Sequence, residues 1–120
     1  MSVKRIVSNI AASSVDEVSK FYSGLFGLSL VMDHGWIATL ASDEVAQAQI
    51  SIATEGGSGT PVPDISIEVD DVDAVYQLAV NLGLRIEYEL TNEPWGVRRF
   101  YLFDPTGKLL NVLSHQNNGQ

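Results

Sequence analysis

Two carboxylates, two histidines and one amide stand where this chain has most to offer chemically. Asp64 and Glu68 lie in the run "DISIEV" (64 to 69). Residues 64, 66 and 68 share one face of an extended strand, so Ser66 falls between the two acids. A carboxylate buried among apolar side chains has its pKa raised toward the range useful for proton transfer. An ionised one can meet a cationic ligand or a hard metal. Asn111 is set among leucines and a valine in "KLLNVL" (108 to 113), where it can donate and accept hydrogen bonds but anchors a divalent ion poorly. His34, in "MDHGW" beside Gly35, reads as a solvated turn histidine rather than a ligand. His115 shares a strand phase with residues 109, 111 and 113 and can border a pocket. Its place before the polar residues 116–120 reads first as a frayed end.

Composition narrows the chemistry further. The absence of cysteine excludes disulfides, thiolate metal sites and cysteine nucleophiles, and suits a reducing cytoplasm. Seven basic residues against fifteen acidic give a net charge of -8, which repels polyphosphate and disfavours nucleic acid as a partner. A neutral or cationic small molecule fits that field, and solubility alone is the plainer reading of it. No apolar run approaches the roughly 20 residues that span a bilayer, so membrane insertion is not expected. The opening "MSVKRIVSNIAASSVDEV" is broken by Ser8, Asn9 and Asp16, unlike a secretory signal. A length of 120 residues suits one folding unit.

The elements that must hold these side chains are written twice. "SVDE" (14 to 17) carries a cap and the capping-box spacing, and Val15, Val18, Phe21 with Tyr22, and Leu25 follow at helical period before Gly27. "DDVD" (70 to 73) opens a second helix lined by Val72, Val75, Leu78 with Ala79, and Leu82 before Gly83. The openings "SVDEV" and "DVDAV" lie 57 positions apart. Strand-like runs precede each helix, at 5 to 11 and 64 to 69. Three more follow each: 28 to 32, 36 to 41 and 48 to 53, then 84 to 90, 97 to 103 and 108 to 113. Each half is therefore strand, helix, strand, strand, strand. Module one covers 1–53, the Gly- and Pro-rich stretch 54–63 joins it to module two at 64–115, and 116–120 is a polar tail. Neither half has core enough alone, which implies pseudo-two-fold assembly with a ligand pocket at the junction.

Alternation then sorts side chains by face. Asn111 shares its face with Leu109 and Leu113. The matching phase of the opening strand is Val7, Asn9 and Ala11, and that of the fifth strand is Asp64, Ser66 and Glu68. Over 97 to 103, Val97, Arg99, Tyr101 and Phe103 oppose Arg98, Phe100 and Leu102. One arginine must face inward, and alternation alone does not choose between Arg98 and Arg99. Trp36 and Trp95 stand at strand entrances beside Gly35 and Gly96, where a ring can wall a mouth or pack a core.

The doubled order, the segment carrying Phe21, Tyr22, Leu25, Gly27 and Leu28, and the turn Asp104, Pro105, Gly107 resemble the glyoxalase, bleomycin-resistance and dioxygenase group, the vicinal oxygen chelate superfamily. The resemblance covers nearly the whole chain. It implies an α+β fold: two tandem βαβββ modules with pseudo-two-fold symmetry forming a cup-shaped half-barrel sheet with helices outside. Catalytic members of that family hold a divalent metal with His, Gln or Glu side chains from strands of both halves. The corresponding positions here carry Val7, which has no donor atom; Gln49 or Ser51, depending on strand phase; Asp64; and Asn111, where relatives place a closing Glu. At most one good anionic ligand remains. The "DPTG" turn has its own explanation, since Pro105 presets a turn, Asp104 bonds back to the backbone and Gly107 tolerates positive φ.

The reading that follows is a metal-independent small-molecule binder, similar to the drug-sequestering bleomycin-resistance proteins. It would hold a drug or metabolite against Val7, Asn9, Trp36, Ser51, Asp64, Ser66, Glu68, Trp95, Arg99, Tyr101 and Asn111. No cofactor is expected, and a divalent metal is the minority reading. An enzyme of the same superfamily is the alternative: a lyase, isomerase or dioxygenase type with a degenerate metal site, or a metal-free catalyst using Asp64 or Glu68 as base. A third reading is an interaction module with no ligand. The family habit implies a homodimer.

Overall fold

The computed structural model describes residues 1–44 and 49–116. Its elements run β1 (Val3–Ala11), α1 (Val15–Phe26), β2 (Ser29–Asp33), β3 (Ile37–Ala41), β4 (Gln49–Ala53), β5 (Ile65–Val69), α2 (Val72–Asn81), β6 (Ile86–Glu93), β7 (Val97–Phe103) and β8 (Leu109–His115). The α+β class and the doubled βαβββ order are both present. Ala48, expected to open the fourth strand, lies outside the described residues, as does the expected polar tail beyond Gln116. Two compact units form: Val7–Val62, and Met1–Ile6 together with Pro63–Gln120. The first strand is thus divided, its start belonging with the second module.

In the unit Val7–Val62 the strand order is β2-β3-β4-β1. β1 pairs with β4 in parallel, bringing Asn9 beside Ser51, and β4 pairs with β3 antiparallel, bringing Ser51 beside Thr39. α1 packs on β3 and β4. Ser14 caps α1 by accepting the Glu17 N–H at 3.2 Å, and Gly27 closes it at φ 69°. The helix is turned from the expected face: Val15, Val18 and Tyr22 are half-buried, whereas Phe21 and Leu25 are 58% and 63% exposed. Adjacent aromatics at 21 and 22 left two stripes open to the helical period, and the fold buries the one through Tyr22. Segment 54–63 folds as bonded turns, with Gly56 N–H donating to the Thr60 carbonyl, Thr60 N–H to that of Gly57, and Gly59 N–H to the Glu55 carboxylate.

The other unit orders its strands β5-β8-β7-β6. β5 and β8 are parallel with Ser66 beside Asn111, and β8 and β7 antiparallel with Asn111 beside Tyr101. Asp71 caps α2 through the Ala74 N–H. Ser114 joins helix to sheet, accepting the Val72 N–H at 3.1 Å and donating to the Val69 carbonyl at 2.8 Å. Against α2 lie Val69, Phe100, Leu102 and Val112, with Val72 and Ala79 from the helix. Phe100 is fully buried and meets the Tyr76 ring edge-on at 5.0 Å. Burying one such side chain contributes about 2–3 kcal/mol. The β7–β8 turn is built as expected: Asp104 Oδ1 accepts the Thr106 N–H and hydroxyl and the Lys108 N–H at 2.7–2.9 Å, and Gly107 sits at φ 87°.

Candidate functional site

Because Phe100, Leu102, Leu110 and Val112 take the α2 side, alternation turns Val97, Arg99, Tyr101, Leu109, Asn111 and Leu113 to the opposite face of the sheet. Strand pairing settles which arginine goes where. Arg98 reaches Asp73 at 2.7 Å and Asn92 at 2.9 Å near the start of α2. Arg99 is 3% exposed on the face away from it.

Arg99 is the centre of a buried polar cluster. Its Nε donates to Glu93 Oε2 at 2.7 Å, and its Nη1 donates to the Tyr101 hydroxyl at 3.0 Å. The Tyr88 hydroxyl donates to the same Glu93 oxygen at 2.8 Å. The rings of Tyr101, Trp95 and Tyr88 lie 4.9, 5.0 and 5.3 Å from the guanidinium carbon, a range in which a ring face attracts a cation. The charge of Arg99 is therefore balanced by Glu93.

Glu93 and Tyr88 were not among the residues expected at the site. "ELTNEPWG" reads as a strand ending at 90 followed by turn formers. The strand instead continues to Glu93, with register shifts after Ile86 and Tyr88, and a tight turn carries the chain to Val97. Gly96, at φ 87°, donates its N–H to the Glu93 carbonyl at 3.2 Å. That turn sets Glu93 opposite Val97 and Thr91 opposite Arg99, so the acid shares the face of the arginine. An acid just before a Pro-x-Gly turn and six positions ahead of an inward arginine was the available signal.

Asn111, 8% exposed, donates from Nδ2 to Ser66 Oγ at 3.0 Å. Its Oδ1 is buried with no hydrogen-bond partner. Leu109 and Leu113 flank it on the same face, each 7% exposed.

Two residues along, Glu68 takes Arg5 Nε at 2.8 Å on one carboxylate oxygen and His115 Nδ1 at 2.9 Å on the other. Burial pushes the Glu68 carboxyl up, but the hydrogen bond and charge of His115 and then those of Arg5 outweigh it. The net pKa lies below the ordinary glutamate value. This overturns the expectation of a raised pKa at Glu68, because the strand phase that buries it also brings the His115 ring and the Arg5 guanidinium to it. Asp64 stands exposed just before β5 and pins β8: its Oδ2 accepts the Leu109 N–H and its own N–H donates to the Leu109 carbonyl, both at 2.8 Å.

The remaining expected residues lie in the unit Val7–Val62. Val7 is buried, Asn9 half-buried, and the hydroxyls of Ser51 and Thr39 bond each other at 2.7 Å. Trp36 is half-buried with its ring stacked on His34 at 6.2 Å, and its carbonyl accepts the Thr54 N–H. A groove of about 560 Å³, not foreseen from sequence, lies beside the β7–β8 turn between Leu84, Arg85, Phe103, Pro105 and Leu110. Arg85 stands 4.2 Å over the Phe103 ring there.

A divalent metal asks for about three anionic or imidazole donors. The four positions implied by the resemblance supply an alkyl group at Val7, a hydroxyl or amide at Ser51 or Gln49, a carboxylate already accepting a backbone N–H at Asp64, and an amide at Asn111. That donor set does not fit such an ion. Among the described residues no group of three or more His, Asp or Glu side chains is placed to hold one.

Residues 3–112 match the model of the Glyoxalase/Bleomycin resistance protein/Dioxygenase superfamily. No curated protein matches the chain. Similar solved structures include a Legionella pneumophila protein described as an NAD-dependent benzaldehyde dehydrogenase, at 13% identity and TM-score 0.76 over 93% of this chain and 100% of that one. A glyoxalase/bleomycin resistance protein/dioxygenase superfamily member from Vibrio splendidus is similar at 15% identity and TM-score 0.69, over 95% and 99%. Methylmalonyl-CoA epimerase of Streptomyces coelicolor, in complex with 2-nitronate-propionyl-CoA, is similar at 20% identity and TM-score 0.70, over 97% and 100%. At these identities the likeness speaks for the fold.

Proposed function

Since the chain belongs to the Glyoxalase/Bleomycin resistance protein/Dioxygenase superfamily, we propose that it binds a small organic molecule, apolar or cationic, without a divalent metal. The observation that carries this reading is the fate of the family's ligand positions. Val7 offers no donor atom, and Asn111 offers an amide where a closing carboxylate would bind, so Asp64 is left as the one carboxylate among them. The aromatic and aliphatic lining of the face around Arg99 and Asn111 supports an apolar ligand body. Arg5 and His115 engage both carboxylate oxygens of Glu68, which leaves that residue poorly placed to act as a general base. Sequestration of a drug or metabolite in the cytoplasm is the role this suggests. Exposed Phe21, Leu25 and Phe26 on α1 support a homodimer, which light scattering of the purified protein tests. The reading itself is tested by measuring metal in protein purified without added ions. Substoichiometric zinc, nickel and iron is the expected result, and stoichiometric metal overturns it.

A further inference from the structure

A buried hydrogen-bonding atom without a partner is rare and asks for an explanation. Asn111 Oδ1 is such an atom, on a side chain more than nine-tenths buried. Its neighbours along the sheet are committed elsewhere: Ser66 Oγ receives the Asn111 Nδ2, and the Tyr101 hydroxyl receives Arg99. The equivalent row in the other unit shows the contrast. There Asn9, Ser51 and Thr39 lie side by side, and the Ser51 and Thr39 hydroxyls close on each other at 2.7 Å. The row Ser66, Asn111, Tyr101 has the same construction but leaves one carbonyl oxygen over.

We infer that Asn111 Oδ1 is the recognition point for a hydrogen-bond donor, an N–H or O–H, on a ligand with an apolar body that is neutral or cationic. The inference rests on the small-molecule reading above and adds the ligand's class to it. An amide oxygen accepts and cannot donate, so a ligand group bearing only lone pairs meets repulsion there. Leu109 and Leu113 on either side select an apolar frame around that donor. An anionic ligand finds no free positive charge from Arg99, whose guanidinium is already paired with Glu93, and the chain's net charge of -8 opposes it further. Donor recognition by a buried acceptor is the kind of contact that discriminates, because the analogue lacking the donor leaves the acceptor unmet.

Indole and benzofuran test this directly, being bicycles of one shape that differ in carrying a ring N–H or a ring oxygen. Benzoate serves as the anionic probe. Binding is followed at millimolar concentration by the nuclear magnetic resonance shift of the Asn111 side-chain amide and by thermal melting. Indole should bind about tenfold more tightly than benzofuran. Asn111→Leu should erase that preference. Asn111→Asp keeps shape and acceptor and should retain the preference for indole. The inference is overturned if benzofuran matches or exceeds indole, which would mean the amide is turned round. It falls equally if benzoate is preferred, if Asn111→Leu keeps the preference, or if no probe binds, which would leave an internal water as the oxygen's partner. Stoichiometric metal in the purified protein instead defeats the proposed function, so the two failures are distinguishable.

Discussion

Removing the Glu93 carboxylate strands a charge in the interior. The side chains of Arg99 and Glu93 are 3% and 2% exposed, and one Glu93 oxygen accepts from both Arg99 and Tyr88. In Glu93→Ala the guanidinium stays buried among aromatic rings and loses the carboxylate it is paired with. Breaking a buried pair from one side costs about 3–5 kcal/mol. Whole-domain stability is about 5–15 kcal/mol, so a large share is at stake. With unfolding entropy near 2.1 cal/mol/K per residue, each kcal/mol moves the melting temperature of a chain this size by about 4 °C. The expected loss is therefore about 12–20 °C. Arg99→Met combined with Glu93→Leu removes both charges and should recover most of it, since apolar replacements of buried pairs are often neutral. Urea unfolding with an unchanged m-value is the assay. A loss under about 1 kcal/mol for Glu93→Ala, or a double variant no better than the single, would refute the idea that this pair is desolvated.

Two further outcomes follow from the same geometry. The Glu68 carboxyl has a lower pKa folded than unfolded, so its contribution is complete above the unfolded value and lost as pH falls through the folded one. Stability should decline from about pH 5 downward, and Glu68→Gln should flatten that acid limb; an identical pH profile in the variant would show that Arg5 and His115 do not hold the carboxylate. Gly107→Ala meets open space but must adopt φ 87°, and should cost about 1–2 kcal/mol; a neutral effect in chemical denaturation would place the turn in a different conformation.

The doubled pattern was legible because it rests on period and punctuation, which act locally. Ser14, Gly27 and Asp71 stand where caps form, Gly83 follows the Leu82 cap that ends α2, and strand 97 to 103 needed only alternation. What failed to show was set by partners distant in sequence. Phe21 and Tyr22 offered two stripes, and packing on β3 and β4 chose between them. Alternation placed one arginine inward, but the choice of Arg99 depended on pairing with β6 and β8. Glu93 was hidden because Asn92 and Pro94 read as turn residues, while the irregular register of β6 extended the strand past them. Asp64 was recognisable as a carboxylate sharing the phase of Ser66 and Glu68, yet its bond to the Leu109 backbone comes from the parallel pairing of β5 and β8. Asn111 was foreseen as a hydrogen-bonding group; its orphaned oxygen was not, since that depends on every neighbour being engaged elsewhere.

A small organic molecule is proposed to bind this chain without metal help. A thermal-shift titration of neutral and cationic aromatic compounds in the presence of a strong chelator tests it most directly. A saturable rise in melting temperature, unchanged when zinc, nickel or iron replaces the chelator, is the expected result. A rise that appears only after metal is restored would contradict it.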